Sequence, residues 1–292
     1  MNRDTTNGRA SVTQVCAAFR ISRQAYYSAK NAPAQEGTAV RSERKGAWAT
    51  ASELEAAVRG CAARHSVWGV RKVHASLRRH GIVASRKRVW SVMQRFGLVL
   101  PAPEHREEGA RRGSVAVPES NRRWATDLTS VWTRQDGLLA VVPVIDCGDR
   151  VVLACDVTRS QESPAVLAPL ERALEEQFGT PDQVPYALEL RSDHGPQYTG
   201  GDCHALGILW GLDHTFAPVG RPTGNAVAER FMLTMKSELI WSRDWESAAE
   251  LRLALSEWFD EYHNERPHQA LKWMTPSEKR VANLALQNRV AA

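Results

Sequence analysis

Residues 138–147 form a nearly unbroken apolar run that ends at Asp146-Cys147. A run of that length, bounded by turn residues, reads as a strand covered on both faces. Gly148-Asp149 then makes a turn, and residues 150–157 supply a hairpin partner. Around this pair the alternation of patterns predicts a strand over 124–132, a helix over 162–177 and a strand over 186–192. A short helix over 200–208, a strand over 214–217 and a long helix over about 224–239 follow, then an amphipathic helix over 246–261 that Pro267 breaks. That order predicts an α/β fold, a mixed sheet with helices against its faces. There is no apolar stretch of about 18 residues, so no span of a membrane is expected. The start, Met1-Asn2-Arg3-Asp4, lacks the apolar run of a signal peptide, and a cytoplasmic location follows as the expectation.

Net charge is +5, but its distribution is lopsided. Residues 1–123 carry 23 Lys plus Arg against 9 Asp plus Glu, a balance of +14. Residues 124–292 carry 15 against 24, a balance of −9. The first part has the electrostatic footprint of a nucleic-acid binder. An acidic second part repels phosphate unless its carboxylates hold metal ions. The cysteines, Cys16, Cys61, Cys147, Cys155 and Cys203, are odd in number and show no C-x-x-C spacing, so reduced thiols are expected.

Within the basic part, residues 11–30 read as a short helical pair: Val12, Val15, Cys16 and Phe19 at helical spacing, then a helix capped by Ser22. Residues 31–50 read as a linker. A helix over 51–65 and another running to about Arg79 follow, with a turn at His80-Gly81. Ser85 is placed as an N-cap of a third helix whose Val89, Val92, Met93 and Phe96 are expected to be buried. Its first turn is Arg86-Lys87-Arg88, three cations where the helix dipole opposes them. A phosphate partner would offset that cost, so these three are candidate DNA contacts on a recognition helix.

Three carboxylates stand out in the acidic part. Asp127 is expected inside the first strand, Asp193 at the end of a later one, and Glu229 in the middle of the long helix. An acid in an apolar strand is costly to bury unless it is paired or binds a cation. Carboxylates converging from separate elements can hold two divalent cations for phosphoryl transfer, and hard oxygen ligands suit Mg²⁺ or Mn²⁺.

The motifs Trp124-Ala125-Thr126-Asp127-Leu128-Thr129, Asp193-His194-Gly195-Pro196-Gln197-Tyr198 and Asn225-Ala226-x-x-Glu229 resemble the integrase-core transposases of bacterial insertion sequences, specifically the OrfB product of two-frame elements. The family spaces its last Asp and Glu by 35 residues, as Asp193 and Glu229 are here. The ending Tyr262-His263-Asn264-Glu265-Arg266-Pro267-His268-Gln269-Ala270-Leu271 is also similar. The resemblance implies an RNase H-like fold and a DDE transposase that cleaves DNA at element ends and transfers the strand. Water and then a 3′-hydroxyl would be the nucleophiles, with Asp127, Asp193 and Glu229 holding two Mg²⁺ or Mn²⁺ ions per active site. It implies double-stranded DNA, both element ends and target, as partner, a nucleoid location and a homo-oligomer on DNA. No leucine-zipper heptads are seen, so the upstream-frame OrfA product, or a fused form, is a further implied partner. By the same resemblance Lys236, Asn225, Gln197 and Tyr198 are DNA contacts, the last two on a loop after Asp193. Relatives often have Asp-Asn-Ala where this chain has Gly224-Asn225-Ala226. The expected organisation is 1–50 helix-turn-helix-like segment and linker, 51–100 second helical DNA-binding unit, 101–120 linker, 121–280 catalytic core and 281–292 tail. An inactive, domesticated DNA-binding regulator and a ribonuclease H-type hydrolase are the rival readings. Asp146 is weighed as a fourth acid or as a turn residue, with the turn favoured, and His194 as a proton shuttle or a loop-structuring residue, with the loop favoured.

Overall fold

A computed structural model of the chain describes residues 48–101, 117–184, 188–217 and 225–291. The helical pair expected over 11–30, and Cys16 with it, lies outside the described residues.

Three helices open the described chain: α1 (Ala51–Arg64), α2 (Val70–Arg79) and α3 (Arg86–Arg95). Thr50 starts α1 with a capping box, accepting from the Glu53 N–H at 3.2 Å while its own N–H donates to the Glu53 carboxylate at 2.8 Å. Gly81 ends the α2 turn with φ +78°. Ser85 caps α3, accepting from the Arg88 N–H at 3.3 Å, as its position in the sequence indicates. Leu54, Val58, Trp68, Val73, Leu77, Val89, Val92 and Met93 close a small core between the helices. Phe96 corrects the sequence reading. The helix stops at Arg95, and Phe96, its C-cap, is 37% exposed, with the guanidiniums of Arg59 and Arg95 over its ring. Leu98 packs against the core instead.

The second part is one mixed sheet. Its strands among the described residues are β1 (Arg123–Thr126), β2 (Thr129–Thr133), β3 (Gly137–Asp146), β4 (Val152–Thr158), β5 (Glu189–Ser192) and β6 (Asp213–Phe216). Antiparallel β3 is central to the first four, pairing β4 on one edge and both β1 and β2 on the other. Parallel β5 and β6 extend the sheet from β1. The apolar run of β3 serves two faces. Leu139, Val141 and Ile145 meet α7 (Ala226–Glu238) and α8 (Ala248–Asn264) through Phe231, Met235, Leu251 and Trp258. Ala140, Val142 and Val144 meet α4 (Ser163–Phe178) and its neighbours through Val166, Leu170 and Leu174. Both faces are covered, so the run needs no polar alternation. The expected mixed sheet flanked by helices is observed, with an RNase H-like order of strands.

Two short helices, α5 (Pro196–Thr199) and α6 (Gly201–Trp210), lie between β5 and β6. A final helix, α9 (Pro276–Ala291), occupies the stretch expected as a tail. It docks by polar side chains: Asn283 donates to the Pro118 carbonyl at 3.0 Å, Gln287 to the Ser120 carbonyl at 2.9 Å, and Arg280 to Asp149 at 2.8 Å. Asp146 is wholly buried there, accepting from the Gly148 N–H at 2.7 Å and the Asn121 N–H at 2.6 Å. It makes the turn. Burial and the nearby charge of Asp149 push its carboxyl up to about 7. Gly148 is required by space, because a Cβ there would stand 2.0 Å from the Glu119 carbonyl oxygen. Gly148→Ala should therefore lower stability by at least about 2 kcal/mol. Chemical denaturation checks this, and a loss below about 0.5 kcal/mol would show that the 118–121 segment moves aside freely.

The helical unit meets the sheet part through ion pairs of one polarity, base on the former and acid on the latter. Lys72 pairs with Glu238 at 2.8 Å and Arg79 with Glu278 at 2.7 Å, and the His65 ring nitrogen lies 3.1 Å from the Glu261 carboxylate. Among the described residues no helix is long and apolar enough to cross a membrane.

Candidate active site

Asp127 stands in a gap between β1 and β2, not inside a strand as the sequence suggests. The two strands pair β3 in one continuous register: Thr126 faces Val144 and Thr129 faces Val141, which puts Pro143 opposite Asp127. The Cys147 N–H donates to the Arg123 carbonyl at 2.8 Å. Backbone groups alternate along a strand, so residues 145 and 143 face the same way. Pro143 has no N–H to give, and the ladder breaks at that point. The Asp127 carboxylate instead accepts from the adjacent Leu128 N–H at 2.8 Å.

The other two acids arrive from the loop after β5 and from α7. Asp193 follows β5 directly, is exposed, and accepts from the Gly195 N–H at 2.9 Å. Glu229 is also exposed. It lies in the first turn of α7, not mid-helix, because the helix begins only at Ala226. Burial, together with the negative charges of Asp193 and Glu229, pushes the half-buried Asp127 carboxyl up to about 6; the Leu128 N–H and the Lys236 ammonium pull it the other way. Partial burial also raises the Glu229 carboxyl above its usual range. The three acids and Lys236 thus share one electrostatic neighbourhood.

The donor set fits a hard divalent cation. It consists of carboxylates alone, two of them open to solvent, and oxygen ligands of this kind suit Mg²⁺ or Mn²⁺. The acids are not gathered into one tight shell, since among the described residues no group of three or more His, Cys, Asp or Glu is placed to hold an ion. Like charges repel, and only a cation offsets the cost of bringing them closer. Cys61, Cys147, Cys155 and Cys203 are free, and Cys61, Cys147 and Cys203 are buried.

The remaining predicted contacts divide. Arg86 and Lys87 are exposed at the start of α3. Arg88 is engaged structurally, donating to the Ala49 carbonyl at 2.9 Å and lying over the Trp48 ring. Lys236 is half-buried beside the acids, and Gln197 is half-buried on α5. Tyr198 is 3% exposed in a helical turn, not on an open loop, and Asn225 is 5% exposed. Their polar groups turn inward to Thr126, where the Tyr198 hydroxyl and the Thr126 hydroxyl share a hydrogen bond of 3.1 Å, and Asn225 Nδ2 donates to the Thr126 carbonyl at 3.1 Å. His194 is exposed and stacks on Phe216. Sequence reasoning missed Thr126, a small neutral residue beside an acid, which only its partners distinguish. It also missed Glu238 and Lys72.

Three protein-family models match the chain. An HTH-like domain model matches residues 50–106, and two Integrase core domain models match residues 117–222 and 210–276. The solved catalytic core domain of BIV integrase is similar at a TM-score of 0.43 and 19% identity, covering 57% of this chain and 99% of that one. The catalytic domain of Mos1 mariner transposase gives 0.42 and 13%, covering 48% and 70%. An HTH-like domain followed by an integrase core is the class that the family models define. The transposase InsD for insertion element IS2D of Escherichia coli (strain K12) is 32% identical over 236 residues, covering 76% of this chain and 77% of that protein. The transposase InsD for IS2 on the F plasmid is similar to the same extent. The chain belongs to the integrase-core transposases of insertion elements, of the OrfB type, enzymes of the polynucleotidyl-transferase kind.

Proposed function

We propose that this chain cuts and rejoins DNA at the ends of an insertion sequence, with Asp127, Asp193 and Glu229 as its metal-binding acids. The observation that carries the reading is the half-buried Asp127 directly after β1, with Asp193 directly after the neighbouring parallel strand β5 and Glu229 in the first turn of α7. Mg²⁺ or Mn²⁺ bound by these carboxylates, two ions per site, would make the nucleophile more acidic and stabilise the leaving oxygen. Water breaks one phosphodiester and frees a 3′-hydroxyl, which attacks a second phosphodiester in line. Asp193 and Glu229 are exposed, where a duplex can reach them, and Asp127 is half-buried. Lys236, half-buried and near Asp127, would hold a phosphate of the end being processed. Arg86 and Lys87 contact backbone phosphates from the helical unit. Two copies acting on DNA would hold two ends together, and the upstream-frame OrfA product is the further partner this reading includes.

The test uses labelled duplex carrying the DNA that flanks the gene, incubated with the protein and Mg²⁺ or EDTA. A nick at one fixed position that needs the metal is the expected result. Binding without nicking, still absent when the upstream-frame product is added, would favour a regulator that has lost catalysis. The contact assignments have their own prediction. Arg86→Ala with Lys87→Ala should weaken binding to every duplex alike and flatten the salt dependence by about two phosphate contacts. Arg88→Ala should lower thermal stability instead. Equal effects on salt dependence from all three substitutions would overturn the distinction.

A further inference from the structure

We propose that Thr126, Tyr198 and Asn225 form a three-way tie that sets the separation of the three acids; this rests on the reading of those acids as metal ligands. Backbone ladders do not fix the strand where Asp127 stands. The parallel ladder from β1 to β5 ends at Ala125 opposite Arg191. The antiparallel ladder to β3 is interrupted opposite Pro143. Side chains take over at that place. Thr126, 1% exposed, holds Tyr198 by its hydroxyl and Asn225 by its carbonyl, each at 3.1 Å.

Each tied residue reaches one acid through a short, continuous bonded path. Asp127 is the covalent neighbour of Thr126, and its carboxylate is held by the next N–H. The Tyr198 N–H donates to the Gly195 carbonyl at 3.0 Å, and the Gly195 N–H donates to the Asp193 carboxylate at 2.9 Å. The Glu229 N–H donates to the Asn225 carbonyl at 3.0 Å, one helical turn on. Asn225 also forgoes the usual use of its residue type. It occupies the N-cap of α7, yet among the described residues its side chain makes no cap bond and its buried Oδ1 has no hydrogen-bond partner. An asparagine there ordinarily accepts from the first turn of the helix. This one spends its amide on Thr126, which draws the start of the Glu229 helix onto the strand of Asp127. The three are positioning residues that touch neither DNA nor the reacting atoms.

The experiment measures the thermal unfolding midpoint of the full chain against Mn²⁺ concentration without DNA, and DNA affinity separately in EDTA. The double variant Thr126→Val with Tyr198→Phe replaces both hydrogen-bond partners by apolar groups of like shape, a change that leaves stability nearly unaltered. Its metal-free midpoint and DNA affinity should match wild type, while its Mn²⁺ half-saturation should rise about tenfold, the scale expected of groups that orient metal ligands. Thr126→Ser keeps the hydroxyl and should keep the wild-type half-saturation. Half-saturation within about twofold of wild type in the double variant would overturn the proposal. So would a tenfold rise in Thr126→Ser, which would place the effect in the lost methyl group. A fall in DNA affinity of the double variant with unchanged half-saturation would instead make Tyr198 a DNA contact, and the tie would fail. Glu229→Gln is measured alongside. If it too leaves half-saturation unchanged, the metal-ligand reading itself falls, a failure distinct from that of the tie.

Discussion

Glu229→Gln should bind terminal duplex as tightly as wild type, within about twofold, and cleave it at least about a thousandfold more slowly in Mg²⁺. Glu229 is exposed in the first turn of α7, and glutamine keeps its size and helix preference, so the fold has little reason to respond. What changes is charge. A carboxylate is a strong ligand for a hard cation and a neutral amide is a weak one. The substitution also removes one of the two negative charges that act on Asp127, so the Asp127 carboxyl should ionise more readily in the variant. Gel analysis of end-labelled duplex gives the rate, and anisotropy gives the affinity. Cleavage within tenfold of wild type would remove Glu229 from the catalytic set.

The largest expected loss of stability comes from a residue with no part in the chemistry. Glu238 lies at the end of α7, where Arg266 grips it by two bonds of 2.8 Å and Lys72 by a third, also of 2.8 Å. Despite burial, the two cations hold its carboxyl down at about 2. Lys72, itself desolvated and beside Arg266, is pushed down to about 8, so both partners are charged at neutral pH. Glu238→Gln leaves the buried Arg266 and the half-buried Lys72 facing one another without their anion and should cost about 3 kcal/mol, roughly 10 °C in Tm. The sign of the pH dependence follows from the depressed carboxylate. Between pH 4.5 and about 2 the unfolded chain binds the proton that the folded chain refuses, so the contribution is full above pH 4.5 and is lost as pH falls through that window. The variant should lack this acid limb. Urea titrations at pH 7 and pH 3.5 check both statements, and a loss below about 1 kcal/mol at pH 7 would mean that solvent screens the triad. Lys72 comes from α2, so the variant should also loosen the helical unit from the sheet part.

The elements differ in how readily the chain betrays them, and the reasons are physical. The two-faced apolar strand, its hairpin partner, the Ser85 cap and the crossover helices are local patterns. Periodicity, turn chemistry and capping act over a few residues, so the residues themselves carry the information. Asp127 and Glu229 fall slightly away from where the sequence places them within their elements. The strand break depends on Pro143, a partner sixteen positions away across the ladder. The helix start depends on where Asn225 is drawn. Phe96 illustrates the same limit, since it keeps the helical spacing in the sequence but is the C-cap and stays exposed.

Sequence by itself determined the order of the elements, the division into a basic helical part and an acidic sheet part, and the identity of three acids whose spacing carries the family resemblance. Only the tertiary structure decided what the polar side chains around those acids do. The family resemblance makes Tyr198 and Asn225 DNA contacts, yet their polar groups are buried on Thr126, while Arg88 sits in a row of cations and donates to the Ala49 carbonyl. A hydrogen-bond donor looks the same in a sequence whether it faces solvent or a carbonyl brought from a hundred residues away. Chain reversals in space choose between the two, and no local pattern encodes that choice.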